Sequence, residues 1–389
     1  MMRRAKFIWT LLLSVTLISG CWDEKSIQDL IYLSAIGIDH VNNEYVIYAQ
    51  SAVPSSVASQ NLSGSNQPLP VIISIGRGQT LQAAMDNLQK NAQVPLFEGF
   101  VSTVVFHERI LKNNILPTFD IMNRYGLLRY TKWVFGTREP VAEVMSNHSV
   151  TGFSPLTSLM HQPLDVYHQR SFIEPLQYYS LISRFWEPGK TVLLPNIAIF
   201  TRSWKENNHF ISRLTIDGVH PLHRGKWQGF FPNKDLLGLR WLNRTTEFGG
   251  VILRVGNRAK ATLRVQHVNM KIEPIQKGTD PRFRVTIDLK AFVREMMSDV
   301  SDEFILTTAK KEIEQQIRGT FMKGIRVGAD LYGLEEYLFK KDYRAWKQFA
   351  KDHERTITAN ALAEIKVNIF LSDAGKMKLN WFEYNDILP

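Results

Sequence analysis

Short runs of alternating apolar and polar residues in the first half of the chain have the two-residue period of half-buried strands. Residues 34–39 and 44–51 form two such runs, and Asn42 and Asn43 between them are typical turn residues. We therefore expect a β-hairpin there. A third run, Val101–Phe106, is rich in β-branched residues and predicts a buried strand.

Apolar residues at helical spacing follow these strands. Thr80 is a suitable N-cap for a helix whose apolar face begins with Leu81. Further helices are predicted over 110–124 and 140–147, with a strand over 131–136 between them. This alternation indicates layers of helices and strands, of the α/β or α+β class.

The second half has a different order, with strands first and helices after them. A turn is expected over His220–His223 and Gly225, and helices are expected from Ser301 or Asp302 onward and over 343–352. The strands predicted in this half cover 196–200, 215–219, 251–255, 259–265, 282–289 and 364–371. This order favours an antiparallel sheet with helices on one face. The predicted fold class is α+β and multidomain, with mixed or antiparallel sheets flanked by helices.

Residues 1–20 have the three parts of a bacterial export signal, which are a basic start, an apolar middle and small residues at the end. The apolar part, Phe7–Ile18, is 12 residues long, whereas a membrane-spanning helix needs about 20. Ser19 and Gly20 lead into Cys21, the one cysteine of the chain. This arrangement suits a lipoprotein peptidase, so we expect Cys21 to carry S-diacylglycerol and an N-acyl group. An ordinary secretion signal beside a chance cysteine is the alternative.

Lipidation at Cys21 would give the mature chain a stable membrane anchor, because diacylglycerol supplies two acyl chains where one is insufficient. Trp22 and Asp23 follow directly and are expected at the level of the lipid headgroups. Packing of Trp22 into the first domain is an equally good interpretation. The expected organisation is a lipoprotein signal peptide over 1–20, an N-terminal domain over 21–198 that is long enough to divide in two, and a C-terminal α+β domain over 199–389.

Composition and charge describe an ordinary exported globular protein with a basic surface. The chain has 389 residues, of which 44% are hydrophobic and 22% charged, and its formal net charge is +10. Loss of the three basic residues of the signal lowers that charge to +7. A basic surface favours anionic lipid headgroups, or the excess charge is simply solvated. Nucleic acid is not expected as a partner, because the chain is exported and has no arginine-rich arm or zinc knuckle.

Motifs of known enzyme and metal sites do not occur in the sequence. There is no Gly-x-Ser-x-Gly, Ser-x-x-Lys or His-Glu-x-x-His pattern. His220 and His223 lack further ligands nearby in sequence, and the Gly76–Gly78 segment lacks the rest of a phosphate-binding loop. We therefore predict no catalytic residue, metal or cofactor. A hydrolase assembled from residues distant in sequence stays open.

Several short motifs occur in a fixed order over nearly the whole chain. They are Cys21-Trp22-Asp23, Ile36-Gly37-Ile38-Asp39, Tyr45–Gln50, Gly78-Gln79-Thr80-Leu81, Lys226-Trp227-Gln228-Gly229, Leu236–Trp241, and Asp330–Glu335 with Trp346 downstream. In this order the chain resembles the Ger(x)C family, the lipoprotein C subunits of nutrient germinant receptors in endospore-forming bacteria.

This resemblance implies a non-enzymatic subunit needed for spore germination. It would work with an integral membrane A subunit and a multi-spanning B subunit at the outer face of the spore inner membrane. The resemblance also implies several α+β domains and no catalytic residues. Whether the nutrient touches this subunit is left open, as is the identity of the partner subunits.

Two other functions remain possible from the residues alone. One is a solute-binding lipoprotein that captures a small molecule between its domains, which predicts a deep interdomain cleft. The other is a lipid-anchored hydrolase, which predicts clustered carboxylate or Ser/His groups. A broad polar and aromatic surface would favour docking instead.

Overall fold

The structure is a computed structural model, and it describes residues 29–52, 71–113, 115–124, 129–147, 155–276, 280–298, 300–351 and 356–372. In chain order the strands are β1 Ile31–Val41, β2 Glu44–Ala52, β3 Ile72–Gly78, β4 Leu96–Phe97, β5 Thr103–His107, β6 Trp133–Thr137, β7 Leu176–Gln177, β8 Thr191–Glu206, β9 His209–His223, β10 Lys226–Trp227, β11 Phe231–Pro232, β12 Phe248–Val255, β13 Arg258–Gln276, β14 Arg282–Met296 and β15 Leu362–Leu371. The helices are α1 Leu81–Lys90, α2 Glu108–Asn113, α3 Ile115–Arg124, α4 Val141–Ser146, α5 Pro163–Arg170, α6 Tyr178–Phe185, α7 Asp302–Ile325, α8 Leu334–Lys341 and α9 Tyr343–Phe349.

Two mixed sheets with flanking helices form the described part of the chain. The larger sheet has the order β10-β9-β8-β6-β5-β1-β2-β3, with β4, β7 and β11 pairing beside this path. The smaller sheet has the order β12-β13-β14-β15. The expected α+β class with mixed or antiparallel sheets is therefore confirmed.

Helices cover both faces of the larger sheet. On one face, α1, α2, α3 and α6 pack against β1, β2, β5 and β8 in one buried apolar cluster. On the other face, α4 contributes Val141, Val144 and Met145 to a second cluster with residues of β1, β5, β6 and β8. Thr80 caps α1 as predicted, since its Oγ1 accepts a hydrogen bond from Ala83 N at 3.1 Å.

The β1–β2 hairpin also forms as predicted. Val41 pairs with Glu44, and Asn42 and Asn43 take left-handed φ values of 51° and 63°. Two residues with positive φ give the turn type that matches the twist of antiparallel strands. Asn tolerates this conformation better than most residues, which is why the pair marked the turn in the sequence.

Helices α2 and α3 cover the region predicted as one helix over 110–124, and residue 114 between them lies outside the described residues. Pro117 lies in the first turn of α3, where a missing N–H is tolerated.

The turn predicted over His220–His223 and Gly225 is wrong at the histidines and right at Gly225. Both histidines lie in β9, and the chain turns instead at Arg224 and Gly225, whose φ values are 48° and 76°. β8 and β9 are each about three times as long as the strands predicted there, so they form an extended hairpin. The predicted domain division between 198 and 199 falls inside β8, and where the chain divides into folding units stays a prediction.

The smaller sheet packs on helix α7. Ser301 is its N-cap and accepts from Phe304 N, and the apolar face from Ile305 to Phe321 is buried against the sheet, as the spacing predicted. The closing strand β15 pairs parallel with β14, because α7, α8 and α9 lie between these strands in sequence. Helix α8 was not predicted.

Candidate functional site

The residues predicted to meet the membrane, Cys21, Trp22 and Asp23, lie outside the described residues, so their roles stay predictions. The described chain reaches its first strand at Ile31, ten residues after Cys21 in sequence. The surface around the start of β1 is therefore the described surface closest in sequence to the expected anchor.

Exposed aromatic rings surround the start of β1. The Tyr32 ring meets the edge of Phe97 at a centroid distance of 5.4 Å and that of Phe100 at 6.3 Å. Phe97 is 42% exposed and Phe100 is 48% exposed. β4 holds Phe97 in place by pairing parallel with β1. We call Tyr32, Phe97 and Phe100 the aromatic patch.

A second feature joins the larger sheet to the helices of the second half. Val219 and Phe231 of the sheet region pack with Leu236, Ala329 and Leu331 in a small buried cluster. Charged and polar groups next to this cluster come from both halves of the chain. We call them the junction, and its members are Lys190, His223, Arg224, Asp330, Glu335 and Glu336.

Glu335 is the centre of the junction, and its side chain is only 2% exposed. Its carboxylate accepts hydrogen bonds from Arg224 Nη2 at 2.7 Å and from Trp346 Nε1 at 3.1 Å. His223 Nε2 lies 3.1 Å from Glu335 Oε2. Burial alone would raise the pKa of Glu335, but the hydrogen bonds from His223 and Arg224 hold it below its ordinary value.

The neighbouring carboxylate of Glu336 makes a parallel connection. It forms ion pairs with Lys190, which precedes β8, and with Lys340, one turn later on α8. Lys340 also lies 3.1 Å from Glu187 Oε1. Burial acts to raise the pKa of Glu336, and the two lysines lower it below the ordinary value. Because these charges pair with one another, the carboxylates of Glu335 and Glu336 already have partners within the junction.

Asp330 orders the start of α8 from within the interior. Its Oδ2 accepts a hydrogen bond from Glu335 N at 2.9 Å, whereas Oδ1 is buried without a partner. Burial raises the pKa of this carboxyl, although the bonds from the backbone act against the shift. Gly333, between Asp330 and Glu335, has a φ of 65°, a conformation that glycine adopts without strain.

The segment Leu236–Trp241 wraps the middle of α7. Trp241 is fully buried, and its Nε1 donates to Gln316 Oε1 at 2.9 Å. Gly238 N donates to Thr320 Oγ1 at 3.0 Å. A Cβ at Gly238 would collide with Tyr332 Oη and with the backbone of α7, so only glycine fits this approach.

The histidines that the sequence singled out have structural partners. His220 accepts a hydrogen bond at Nδ1 from Trp227 Nε1, and its Nε2 lies 2.8 Å from Asn196 Oδ1. Burial lowers the pKa of His220 to about 3, which keeps the ring neutral. Burial likewise lowers the pKa of His161 to about 4. Among the residues that the structure describes, no cluster of three or more His, Cys, Asp or Glu side chains could hold a metal ion.

Two neighbouring cavities lie in this region, and the first of them borders the junction. One of about 480 Å³ is lined by Lys190, Glu336 and Lys340 together with Phe172 and Leu331. The other, of about 570 Å³, lies next to it and shares Glu174, Arg184 and Arg244 with it. Within the described ranges, no helix is both long and apolar enough to cross a membrane.

Two family models cover most of the chain. The spore germination protein N-terminal domain matches residues 23–199, and the spore germination B3/GerAC-like C-terminal domain matches residues 217–375. The chain belongs to the Ger(x)C family of spore germination proteins. This confirms the resemblance that the ordered motifs indicated.

Relatives of similar length exist in Bacillus subtilis (strain 168). Spore germination protein KC is 21% identical over 96% of this chain and 97% of its own length. Spore germination protein A3 is 22% identical over 96% of this chain and 98% of its own length, and spore germination protein B3 is 22% identical over 86% and 85%. The crystal structure of the GerBC protein superposes with a TM-score of 0.51 at 16% identity, covering 87% of this chain and 97% of that one. The fold is thus that of a solved Ger(x)C protein.

Sequence reasoning identified part of the junction without recognising its role. The Asp330–Glu335 segment carried the family resemblance, and His223 was noted only as half of a turn pair. Lys190 and Arg224 were missed altogether. No local pattern could have found them, because nothing in the sequence places the acidic residues around Gly333 next to the basic turn at Arg224.

Proposed function

We propose that this chain is a lipid-anchored, non-enzymatic subunit of a nutrient germinant receptor, needed for spore germination. It docks with integral membrane A and B subunits at the outer face of the spore inner membrane. The observation that carries this proposal is the match to both spore germination domains, the first of which begins two residues after Cys21.

The proposed anchor limits where the body can lie. Ten residues separate Cys21 from Ile31, and an extended chain of that length spans about 35 Å. Tethering at this distance raises the effective concentration of the body at its membrane partners. The aromatic patch at the start of β1 supports this arrangement, because exposed Tyr and Phe rings favour the boundary between lipid headgroups and acyl chains.

The junction supports a docking role rather than a chemical one. The carboxylates of Glu335 and Glu336 are engaged by lysine, arginine, histidine and tryptophan side chains. Groups that are paired in this way hold two parts of the body together and are not available as a free acid or base. A body whose parts are held together in this way can pass a structural change caused by one partner subunit to the other.

The cavity beside the junction and the cavity next to it favour a second candidate, a solute-binding lipoprotein. Their volumes, about 480 and 570 Å³, fall within the usual range of ligand sites. Thermal unfolding of the purified chain with a panel of nutrients separates the candidates. A midpoint that rises with nutrient concentration supports solute binding, and an unchanged midpoint supports docking.

The proposed function is tested in the native spore-former with Cys21→Ala. The variant should leave the membrane fraction, fail to incorporate labelled palmitate, and fail to restore nutrient germination to a deletion strain. A Trp22→Phe variant, which keeps the thiol, is the matched control and should incorporate palmitate. Palmitate in the Cys21→Ala protein would contradict the assignment of Cys21 as the lipidation site. Full restoration of germination by that protein would contradict the proposal that germination needs the lipid anchor.

A further inference from the structure

A third cavity, of about 450 Å³, lies beside helix α5 and the β8–β9 hairpin, and it shares Phe172 with the cavity at the junction but none of the junction's charged residues. Its walls are mostly apolar and include Phe135, Leu159, Val166, Phe172, Leu214 and Ile216. A mostly apolar cavity of this volume with a few polar groups is the usual form of a small-molecule site.

The charge of this cavity has one sign. Among the described residues that line it, Arg170 and Arg213 are charged and none is Asp or Glu. Within the described ranges, neither arginine lies within salt-bridge distance of a carboxylate. The cavity therefore presents positive charge beside apolar walls, and its ligand would carry an anionic group on an apolar body.

Arg213 has a hydrogen-bond donor that lacks an acceptor. Its Nη1 donates to Ser212 O at 2.8 Å, but its Nε is buried and has no acceptor in the structure. A buried N–H without an acceptor is rare and costs free energy. Guanidinium groups pair with carboxylates through two parallel hydrogen bonds, so a carboxylate would satisfy this donor.

Two further polar atoms of lining residues lack partners. Ser158 is 4% exposed, and its Oγ is buried without a hydrogen bond. Asn233 Nδ2 donates to Ile216 O at 2.8 Å, which leaves Asn233 Oδ1 unpartnered. Of these atoms, Arg213 Nε–H and Ser158 Oγ–H are donors that a carboxylate would satisfy, whereas Asn233 Oδ1 is an acceptor that would need a donor elsewhere on the ligand or a water.

We propose that this cavity binds a small organic monocarboxylate with an apolar body. An α-amino acid fits less well, because its ammonium group would meet two arginines and no carboxylate, and burying an unpaired charge is costly. The inference goes beyond the proposed function and does not depend on it.

Isothermal titration calorimetry of the purified full-length chain tests this, with 3-phenylpropionate and octanoate as probes. We expect saturable binding of at least one of them. We also expect at least tenfold weaker binding of 3-phenylpropanamide, which lacks the charge, and of phenylalanine, which adds the ammonium. The proposal is overturned if neither probe binds, or if the amide or phenylalanine binds as tightly as the carboxylate.

Substitutions locate the site. Arg213→Gln combined with Arg170→Gln should weaken carboxylate binding at least tenfold. Arg202→Gln is the matched control, because Arg202 is an exposed arginine of β8 that does not line the cavity. Equal loss in the control, or no loss in the double variant, places the binding elsewhere. The comparison of ligands on the unsubstituted chain remains decisive should a variant fail to fold.

Discussion

Arg224 Nη2 donates a hydrogen bond to Glu335 Oε1 at 2.7 Å, and this contact joins residues 111 positions apart in the chain. Arg224 lies in the turn after β9 of the larger sheet, and Glu335 lies in the first turn of α8. His223 and Trp346 meet the same carboxylate, so a single buried acid connects a turn of the sheet to two helices.

Removing the charge of Glu335 should weaken this connection. Glu335→Gln leaves Arg224 and His223 without their anion, and breaking a buried ion pair costs about 3 kcal/mol or more. We expect urea denaturation to show a loss of that size in the free energy of unfolding. Glu314→Gln, which removes an exposed pair with Arg318, is the control and should cost under about 1 kcal/mol. Equal losses in the two variants would contradict the central place of Glu335.

The junction should also weaken in acid. The pKa of Glu335 in the folded chain lies below its ordinary value of 4.5, so the unfolded chain binds the proton first as pH falls. The stabilisation is present above pH 4.5 and is lost as pH falls through the lower folded pKa. Denaturation at a series of pH values should therefore show a difference between the unsubstituted chain and Glu335→Gln that shrinks below pH 4.5. A difference independent of pH would show that Glu335 contributes no charge-dependent stability.

Gly238 should tolerate no side chain, because a Cβ there would overlap the backbone of α7. We expect Gly238→Ala to lower the free energy of unfolding by about 1–3 kcal/mol, the usual cost of overpacking. Gly250→Ala is the matched control, since nothing lies within 4 Å of a Cβ at that position. Denaturant midpoints that shift alike in both variants would argue against the tight packing of this segment on α7.

The aromatic patch should contribute to membrane contact without the lipid anchor. In a Cys21→Ala background, we expect Phe97→Ser with Phe100→Ser to reduce cosedimentation with anionic vesicles at least threefold, because the exposed rings no longer enter the headgroup region. Phe370→Ser removes a ring that is 68% exposed on β15 and serves as the control. If vesicle binding fell equally in this control, the result would contradict a specific contribution of the aromatic patch to membrane contact.

Local signals explain which parts of the fold were predictable from the sequence. Asn42-Asn43, the Thr80 cap and the apolar face of α7 each depend on neighbours in sequence, and all three are present in the structure. The predicted strand bounds were wrong where pairing between residues distant in sequence determines how far a strand extends. β8 and β9 extend because they pair with each other, which no short window of sequence reveals.

The candidate site was predictable only in outline. The Asp330–Glu335 segment was recognised through its resemblance, but its partners Lys190 and Arg224 are more than 100 residues away. A charged residue within an otherwise ordinary turn gives no sign that it will be buried against an opposite charge. The family, by contrast, was recognisable because it depends on the order of many short motifs rather than on any one contact.

Mass spectrometry of the N-terminus of the native, membrane-extracted protein tests the central claim most directly. The account predicts a mature chain that begins at Cys21 and carries diacylglycerol on its sulfur. An unacylated Cys21 thiol in a chain that still begins at Met1 would contradict it.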